Sequence, residues 1–296
     1  MVFRTALTST GLVVLFFTVV ACKSTAPIAQ PLPPPPPPVA STETPAHDNF
    51  NAVLWVQTSA EYQALTQQAY MAAQLALDEA LDDPTWTASV EQERLGDFAD
   101  LPPAVVLDVD ETVLDNSAYQ ARLIRDNARY ASSSWAAWAE EAAATEVAGA
   151  LAYTKEAAER GVTVVYITNR KAAEERATRK NLSALGFPLA EGEDIVLTRS
   201  ERPEWTSSDK TPRREDIARR YRIVQLVGDN LGDFIEAEGT PAERKAAVTR
   251  YADYWGLRWI MLPNPTYGNW EGALFGRDYK KPAAQQRSDK TLGLRY

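Results

Sequence analysis

The sequence predicts an α/β fold: a doubly wound parallel sheet with a small, mainly helical cap or accessory region. Two observations lead there. Short strand-like runs at Ala104–Leu107, Val162–Thr168, Asp194–Thr198, Ile223–Val227 and Leu257–Leu262 alternate with stretches of helical periodicity. Strands alternating with helices in this way build a parallel sheet covered on both faces. The chain has 296 residues, 45% of them hydrophobic and 24% charged, enough for one sizeable core or two small ones. Ligands of such sheets bind outside the carboxyl ends of the strands, so the strand ends carry the functional information.

The first 21 residues hold Arg4, an apolar run from Gly11 to Val20, and then Ala21-Cys22. That run is too short to span a bilayer comfortably. A basic start, an apolar middle and a small residue at the end read as a secretory signal. Val19-Val20-Ala21-Cys22 is similar to a bacterial lipobox, which implies lipidation of Cys22 and anchoring to a membrane; the alternative is an ordinary cleaved signal with an incidental Cys. Lys23 after the Cys points by the same resemblance to the outer membrane or cell surface, with the periplasmic face as a further possibility. Residues 22–48 read as a linker. Its Pro31–Pro38 run predicts polyproline II, a spacer of about 25 Å at ~3.1 Å per residue; a proline-motif ligand is the competing reading. His47 reads as a solvated linker residue.

The remaining residues, 49–296, form the predicted folded part: a helical N-terminal portion over about 49–100 and a core over about 101–275. From Phe50 to Leu81 the sequence predicts one helix, because Tyr62, Leu65, Ala69, Ala72 or Ala73, Ala76 and Ala80 recur at three- and four-residue steps. Asp82-Asp83-Pro84 stops it. Trp86–Asp100 reads as loop. Ala104–Leu107 then reads as a buried strand running into Asp108 and Asp110. Ser132-Ser133-Ser134 can cap a helix carrying Trp135, Trp138 and Ala142. Further helices are predicted over Val147–Arg160 and Ala172–Leu185, closed by Gly161 and Gly186. Two more span Pro212–Tyr221, with Pro in its first turn, and Pro241–Trp255.

Composition excludes several chemistries. The net charge is -9, and losing residues 1–21 removes only Arg4 and leaves -10. An acidic chain with no long basic run is a poor binder of nucleic-acid polymers. The single Cys and the single His, Cys22 and His47, both precede the folded part. An internal disulfide, a Cys nucleophile, a Cys/His zinc site and a Ser-His-Asp triad are therefore all excluded from the domain. Carboxylates, hydroxyls, Lys, Arg or an oxygen-liganded metal must do the work.

The strand ends supply such groups. The first gives Asp108, Asp110 and Thr112, with side chains 108 and 110 sent the same way by alternation. The second gives Thr168-Asn169-Arg170, and the fourth Gly228-Asp229-Asn230-Leu231-Gly232-Asp233. Lys210 lies just before a helix. Each piece alone reads as an ordinary turn or surface lysine; together at one sheet edge they suit phosphoryl transfer. That reaction needs an in-line nucleophile, cations around the transferring group and a proton donor for the leaving oxygen. Mg²⁺ prefers one or two carboxylates together with phosphate oxygens. Asp108 and Asp229 fit as ligands. Asp233 could orient a metal-bound water, Lys210 could neutralise phosphate and nucleophile, and Thr168 and Asn169 could bond phosphate oxygens.

These motifs resemble the haloacid dehalogenase superfamily in its phosphatase form. More narrowly, they are similar to the bacterial class C acid phosphatases, which are surface lipoproteins. The narrower resemblance includes Val53-Leu54-Trp55, Glu61-Tyr62, Ala69-Tyr70, Leu114–Tyr119 and Pro263–Glu271, and covers roughly residues 50–275. It implies a Rossmann-like core and a two-step reaction. Asp108 attacks phosphorus to give an aspartyl phosphate, while Asp110 protonates the departing alcohol and then activates water. It implies Mg²⁺ held by Asp108, the Asp110 carbonyl and Asp229, with Asp233 behind, and phosphate held by Thr168, Asn169 and Lys210. Gly232 departs from the pattern where a polar residue is expected, which touches the loop rather than the chemistry. The implied substrates are phosphomonoesters, among them nucleoside 5′-monophosphates, hydrolysed at mildly acidic pH. Trp135 and Tyr267 are chosen as stacking rings from a set with Tyr119, Trp138 and Trp270. Three alternatives compete with this reading. A receiver domain is disfavoured by the order of its acids and by secretion. A sugar phosphatase or phosphotransferase of the same superfamily is not excluded by the residues. A non-enzymatic surface-binding lipoprotein is disfavoured because Asp108 and Asp110 are both present.

Overall fold

The computed structural model describes residues 47–296. The predicted signal, Cys22 and the proline run lie outside the described residues. The elements run in order α1 (Phe50–Thr58), α2 (Ala60–Asp82), α3 (Val90–Leu95), β1 (Pro103–Leu107), β2 (Leu114–Asp115), α4 (Ser117–Arg125), α5 (Ser132–Glu141), β3 (Thr145–Glu146), α6 (Ala150–Glu159) and β4 (Thr163–Lys171). They continue with α7 (Glu175–Leu185), β5 (Val196–Arg199), α8 (Thr211–Ala218), β6 (Arg222–Gly228), α9 (Pro241–Arg250), β7 (Trp259–Met261), α10 (Asn269–Leu274) and α11 (Ala283–Leu292). No helix among the described residues is long and apolar enough to cross a membrane.

The five predicted strands form one parallel sheet in the order β5-β4-β1-β6-β7. Every residue of β6 and four of the five in β1 are buried, so both faces are covered, as all-parallel sheets require. The helices α2 and α6 pack on each other and on the sheet, while α3 packs with α8. Tyr70, Ala73 and Leu77 of α2 share one core with the strands; the N-terminal helical portion is thus integral to the domain. The chain builds outward from β1 through β4 to β5, then crosses back to β6 and β7. That reversal leaves a crevice at the carboxyl end of β1.

Sequence and structure part at identifiable points. The single helix expected over Phe50–Leu81 breaks at Ser59, whose backbone is extended (φ -85°, ψ 137°) and whose hydroxyl caps α2 by accepting from the Tyr62 N–H at 3.1 Å. The expected loop Trp86–Asp100 contains α3, nucleated by Ser89 accepting from the Gln92 N–H at 3.2 Å. Ser132–Ser134 sit in the first turn of α5 rather than at its cap, which falls at Ala131. The helix expected to reach Trp255 ends at Arg250, followed by a 3₁₀ turn over Ala252–Tyr254. The β2–β3 pair, α4, α10 and α11 are additions. His47 is not a solvated linker residue: it is half-buried, its Nε2 bonds the Ala128 carbonyl at 3.1 Å and its Nδ1 accepts from the Asn49 N–H at 3.2 Å.

Candidate active site

Asp108 stands just past β1, and its N–H bonds the Val227 carbonyl of β6 at 2.9 Å. The next residues turn sharply. Glu111 takes a positive φ of 61°, the Glu111 N–H bonds the Leu114 carbonyl at 2.8 Å, and Tyr70 of α2 donates to the Thr112 carbonyl at 2.7 Å. The turn holds Asp108 and Asp110 at the sheet edge. β6 ends at Gly228, where a Cβ would fall 2.3 Å from Asp233 Oδ2. Only glycine lets the Leu231–Asp233 turn fold back over the strand. Asp233 Oδ2 in turn caps the Asn230 N–H at 2.8 Å.

Asp108, Asp229 and Asp233 each bring a carboxylate oxygen to within 4.8 Å of the others. Lys210, at the head of α8 and buried, donates to Asp108 Oδ1 and to Asp233 Oδ1, the latter at 2.7 Å. Asn264 Nδ2 donates to Asp229 Oδ2 at 2.6 Å. Burial raises the Asp108 carboxyl to about 7, with Lys210 opposing and the charges of Asp233 and Asp110 adding to the rise. Burial, then Asp233 and Asp108, lift Asp229 well above the carboxylate range against Asn264 and Lys210. Burial disfavours the Lys210 ammonium, but Asp108 and Asp233 outweigh it and raise its pKa. Three hard-oxygen donors facing one another with a single ammonium between two of them are under-neutralised. Their chemistry fits a divalent cation. Asp233 stands in this carboxylate cluster with Asp108 and Asp229.

Asp110 is gripped by Arg170, whose Nη2 and Nε donate to Asp110 Oδ1 at 2.7 and 3.0 Å. Asn116 Nδ2 adds a third bond to the same oxygen at 2.9 Å. Oδ2 receives only a 3.3 Å contact from Arg170 Nε and is the freer oxygen. Asn116 is itself fixed: its N–H bonds Glu111 Oε1 at 2.8 Å, and its Oδ1 accepts from Trp138 Nε1 at 2.8 Å and from Arg170 Nη2 at 3.2 Å.

Thr168 and Asn169 lie near the end of β4, the first fully buried and the second exposed. Arg213, fully buried on α8, bonds the Thr168 carbonyl, Asn169 Oδ1 at 2.7 Å and the Asp209 carbonyl at 3.1 Å. Burial lowers its pKa to about 10. Asn169 Nδ2 bonds the Ser208 carbonyl at 3.0 Å. The loop that carries Lys210 is thereby clamped to the end of β4.

The structure brings Asp108, Asp110, Thr168, Asn169, Lys210, Asp229 and Asp233 to this one edge. Tyr267 reaches it through its hydroxyl, which donates to Glu111 Oε2. Trp135 is half-buried and lies 5.4 Å from the Arg170 guanidinium. Tyr119 and Trp138 are core residues, each 3% exposed, and Trp270 stands outward at 43%. Sequence reasoning assigned no role to Arg170, Asn116, Glu111, Arg213, Arg214 or Asn264. A signal existed for the two arginines: with Ile217 and Ala218 they fall on the buried stripe of α8, where an unpaired charge is untenable.

Residues 39–270 match a family described as the HAD superfamily, subfamily IIIB acid phosphatases. The structure of the class C acid phosphatase from Bacillus anthracis is similar at a TM-score of 0.73, with 36% identity over 84% of this chain and 97% of that one. A second structure of the class C acid phosphatase from Bacillus anthracis, with tungstate bound, gives a TM-score of 0.72 and 35% identity over the same shares.

Proposed function

The chain belongs to the acid phosphatases of HAD subfamily IIIB and is a phosphoric monoester hydrolase, and from that premise we propose a Mg²⁺-dependent reaction through an aspartyl phosphate on Asp108. The observation that carries this reading is the meeting of Asp108, Asp229 and Asp233 within 4.8 Å around Lys210. Tungstate on the Bacillus anthracis relative supports it, because that tetrahedral oxyanion has the shape and charge of phosphate.

Asp108 and Asp229 would hold Mg²⁺, with Asp233 beside them and the Asp110 carbonyl as a further oxygen. The ion would supply positive charge to the phosphoryl oxygens and relieve the carboxylates. Lys210, Thr168 and Asn169 orient the phosphoryl group. An Asp108 oxygen attacks phosphorus, and the bond to the ester oxygen breaks with its electron pair. Asp110 gives that oxygen a proton from Oδ2, the oxygen Arg170 and Asn116 leave freer. Asp110 then takes a proton from water. The water oxygen attacks phosphorus, the bond to Asp108 breaks, and inorganic phosphate leaves with both aspartates restored.

Trp135 lies by the Arg170 guanidinium that holds Asp110, and the Tyr267 hydroxyl bonds Glu111, which supports an aromatic leaving group; ring stacking is worth ~1–3 kcal/mol and tolerates different bases. We assign the substrates as phosphomonoesters including nucleoside 5′-monophosphates. The purified protein with Mg²⁺ is expected to release phosphate from p-nitrophenyl phosphate and from nucleoside 5′-monophosphates near pH 5–6. No release from any member of a monoester panel would end the reading. Asp110→Asn is expected to keep metal and phosphate binding and to lose about 10²–10⁴-fold in kcat, measured by steady-state kinetics beside calorimetric titration of phosphate.

A further inference from the structure

Lys171 and Arg199 are the last residues of β4 and β5, and they are register partners across that parallel pair. Partners in a parallel ladder lie about 4.8 Å apart with side chains on one face. Like charges so placed repel each other. Other cations of this region have partners: Arg170 with Asp110, Lys210 with Asp108 and Asp233, Arg202 with Asp194 and Asp216, and Arg213 with the neutral acceptor Asn169 Oδ1. Among the described residues, the side chains of Lys171 and Arg199 form no ion pair. Two acids stand beside the pair but hold backbone and hydroxyl groups, not the side chains of Lys171 and Arg199. Glu174 Oε2 accepts the backbone N–H of Lys171 at 2.9 Å. Glu201 Oε2 accepts the Thr198 N–H at 2.8 Å and its hydroxyl at 3.2 Å.

The pair sits on the rim of the site. Along β4, Asn169 and Lys171 are exposed while Arg170 between them is buried, so positions 169 and 171 share the exposed side of a segment whose register with β5 shifts between Ile167 and Lys171. Asn169 is one of the groups assigned to the phosphoryl group. The chain as a whole carries -9 and repels anions at long range, so an anion is drawn in only where local cations outweigh that field. Lys171 and Arg199, register partners two and more positions beyond Asn169 and without an ion pair among the described residues, are the cations available for that.

We propose that Lys171 and Arg199 form a second anion subsite, which takes the second phosphoryl group of an organic bisphosphate while the first occupies the Asp108 site. This rests on the phosphatase reading above and specifies its substrate class: phosphomonoesters whose leaving group itself carries phosphate.

The test compares kcat/KM within two pairs, adenosine 3′,5′-bisphosphate against adenosine 5′-monophosphate and fructose 1,6-bisphosphate against fructose 6-phosphate, with p-nitrophenyl phosphate as reference. Wild-type protein is expected to prefer the bisphosphate in at least one pair by about tenfold, two charge contacts of the exposed kind acting together, and to lose that preference as salt rises from 0.05 to 0.5 M. The Lys171→Gln/Arg199→Gln double variant is expected to abolish the preference and to leave p-nitrophenyl phosphate hydrolysis within twofold. Absence of preference in both pairs, a preference that survives the double variant, or an equal loss on p-nitrophenyl phosphate overturns the subsite. Failure of wild-type protein to hydrolyse p-nitrophenyl phosphate would instead overturn the phosphatase reading.

Discussion

Asp108 is the residue on which opposing electrostatic effects meet. Its carboxyl is raised to about 7, by burial first and then by Asp233 and Asp110 against Lys210, from about 3.9 in an unfolded chain. The native state therefore holds its proton more tightly than the unfolded state does. Metal-free protein loses stability as pH climbs from about 4 through about 7, because the charge appears where it is least solvated. A divalent ion competes with that proton and removes the repulsion. The gain in Tm on adding excess Mg²⁺ should accordingly be larger at pH 8 than at pH 5, read by differential scanning calorimetry at both pH values. An equal or larger gain at pH 5 would mean that the carboxylates are not relieved by the ion. Asp110 illustrates the limits of sequence at this scale. Asp108-Val109-Asp110 announced two acids, but Arg170, sixty positions away, is what aims the second one.

At the scale of elements, the least legible piece is α3. Six residues are too few for helical periodicity to register, yet α3 carries Glu91, which accepts from Arg214 Nη2 and Nε of α8 at 2.7 and 3.1 Å in a buried ion pair. Arg214 Nη1 also bonds the carbonyls of Gly232 and Asp233, at 3.1 and 3.3 Å. One guanidinium thus joins α3, α8 and the turn that presents Asp233. Glu91→Gln leaves that guanidinium buried without its counter-charge and should cost on the order of 3–5 kcal/mol, measured by urea denaturation. Replacing both partners, as Glu91→Leu/Arg214→Met, should cost less than Glu91→Gln alone; a double variant at least as unstable would place the energy outside the pair. The strands were easier to read because each is a short apolar run with polar residues at its end. Only their edges moved, as where β4 runs on to Lys171.

For the whole molecule, the strand order places β1 between β4 and β6, so residues 108, 168 and 229 from three separate strand ends border one crevice. The two ends of the described chain also meet each other: Arg287 of α11 pairs with Asp48 at 2.9 Å, and Arg129 bonds Gln286 at 3.2 Å beside the His47–Ala128 contact. We propose that Cys22 is lipidated and that the linker over residues 22–48 tethers this domain to the outer membrane or cell surface. Cys22→Ser should then move the activity from the membrane pellet to the soluble fraction on cell fractionation with kcat unchanged, whereas activity still sedimenting with membranes would remove Cys22 as the anchor.

The amino-acid sequence by itself determined the fold class, the strands of the sheet and the chemical identity of the groups at their ends. These properties are local: an apolar run specifies a buried strand, and the residue that follows it must emerge at an edge. Only the tertiary structure decided which charge neutralises which. Lys210 lies 102 positions from the Asp108 it contacts, Arg214 lies 123 positions from Glu91, and the same alignment of strand ends leaves Lys171 and Arg199 side by side. Pairings across such separations follow from strand order and register, which the packing of the entire chain selects.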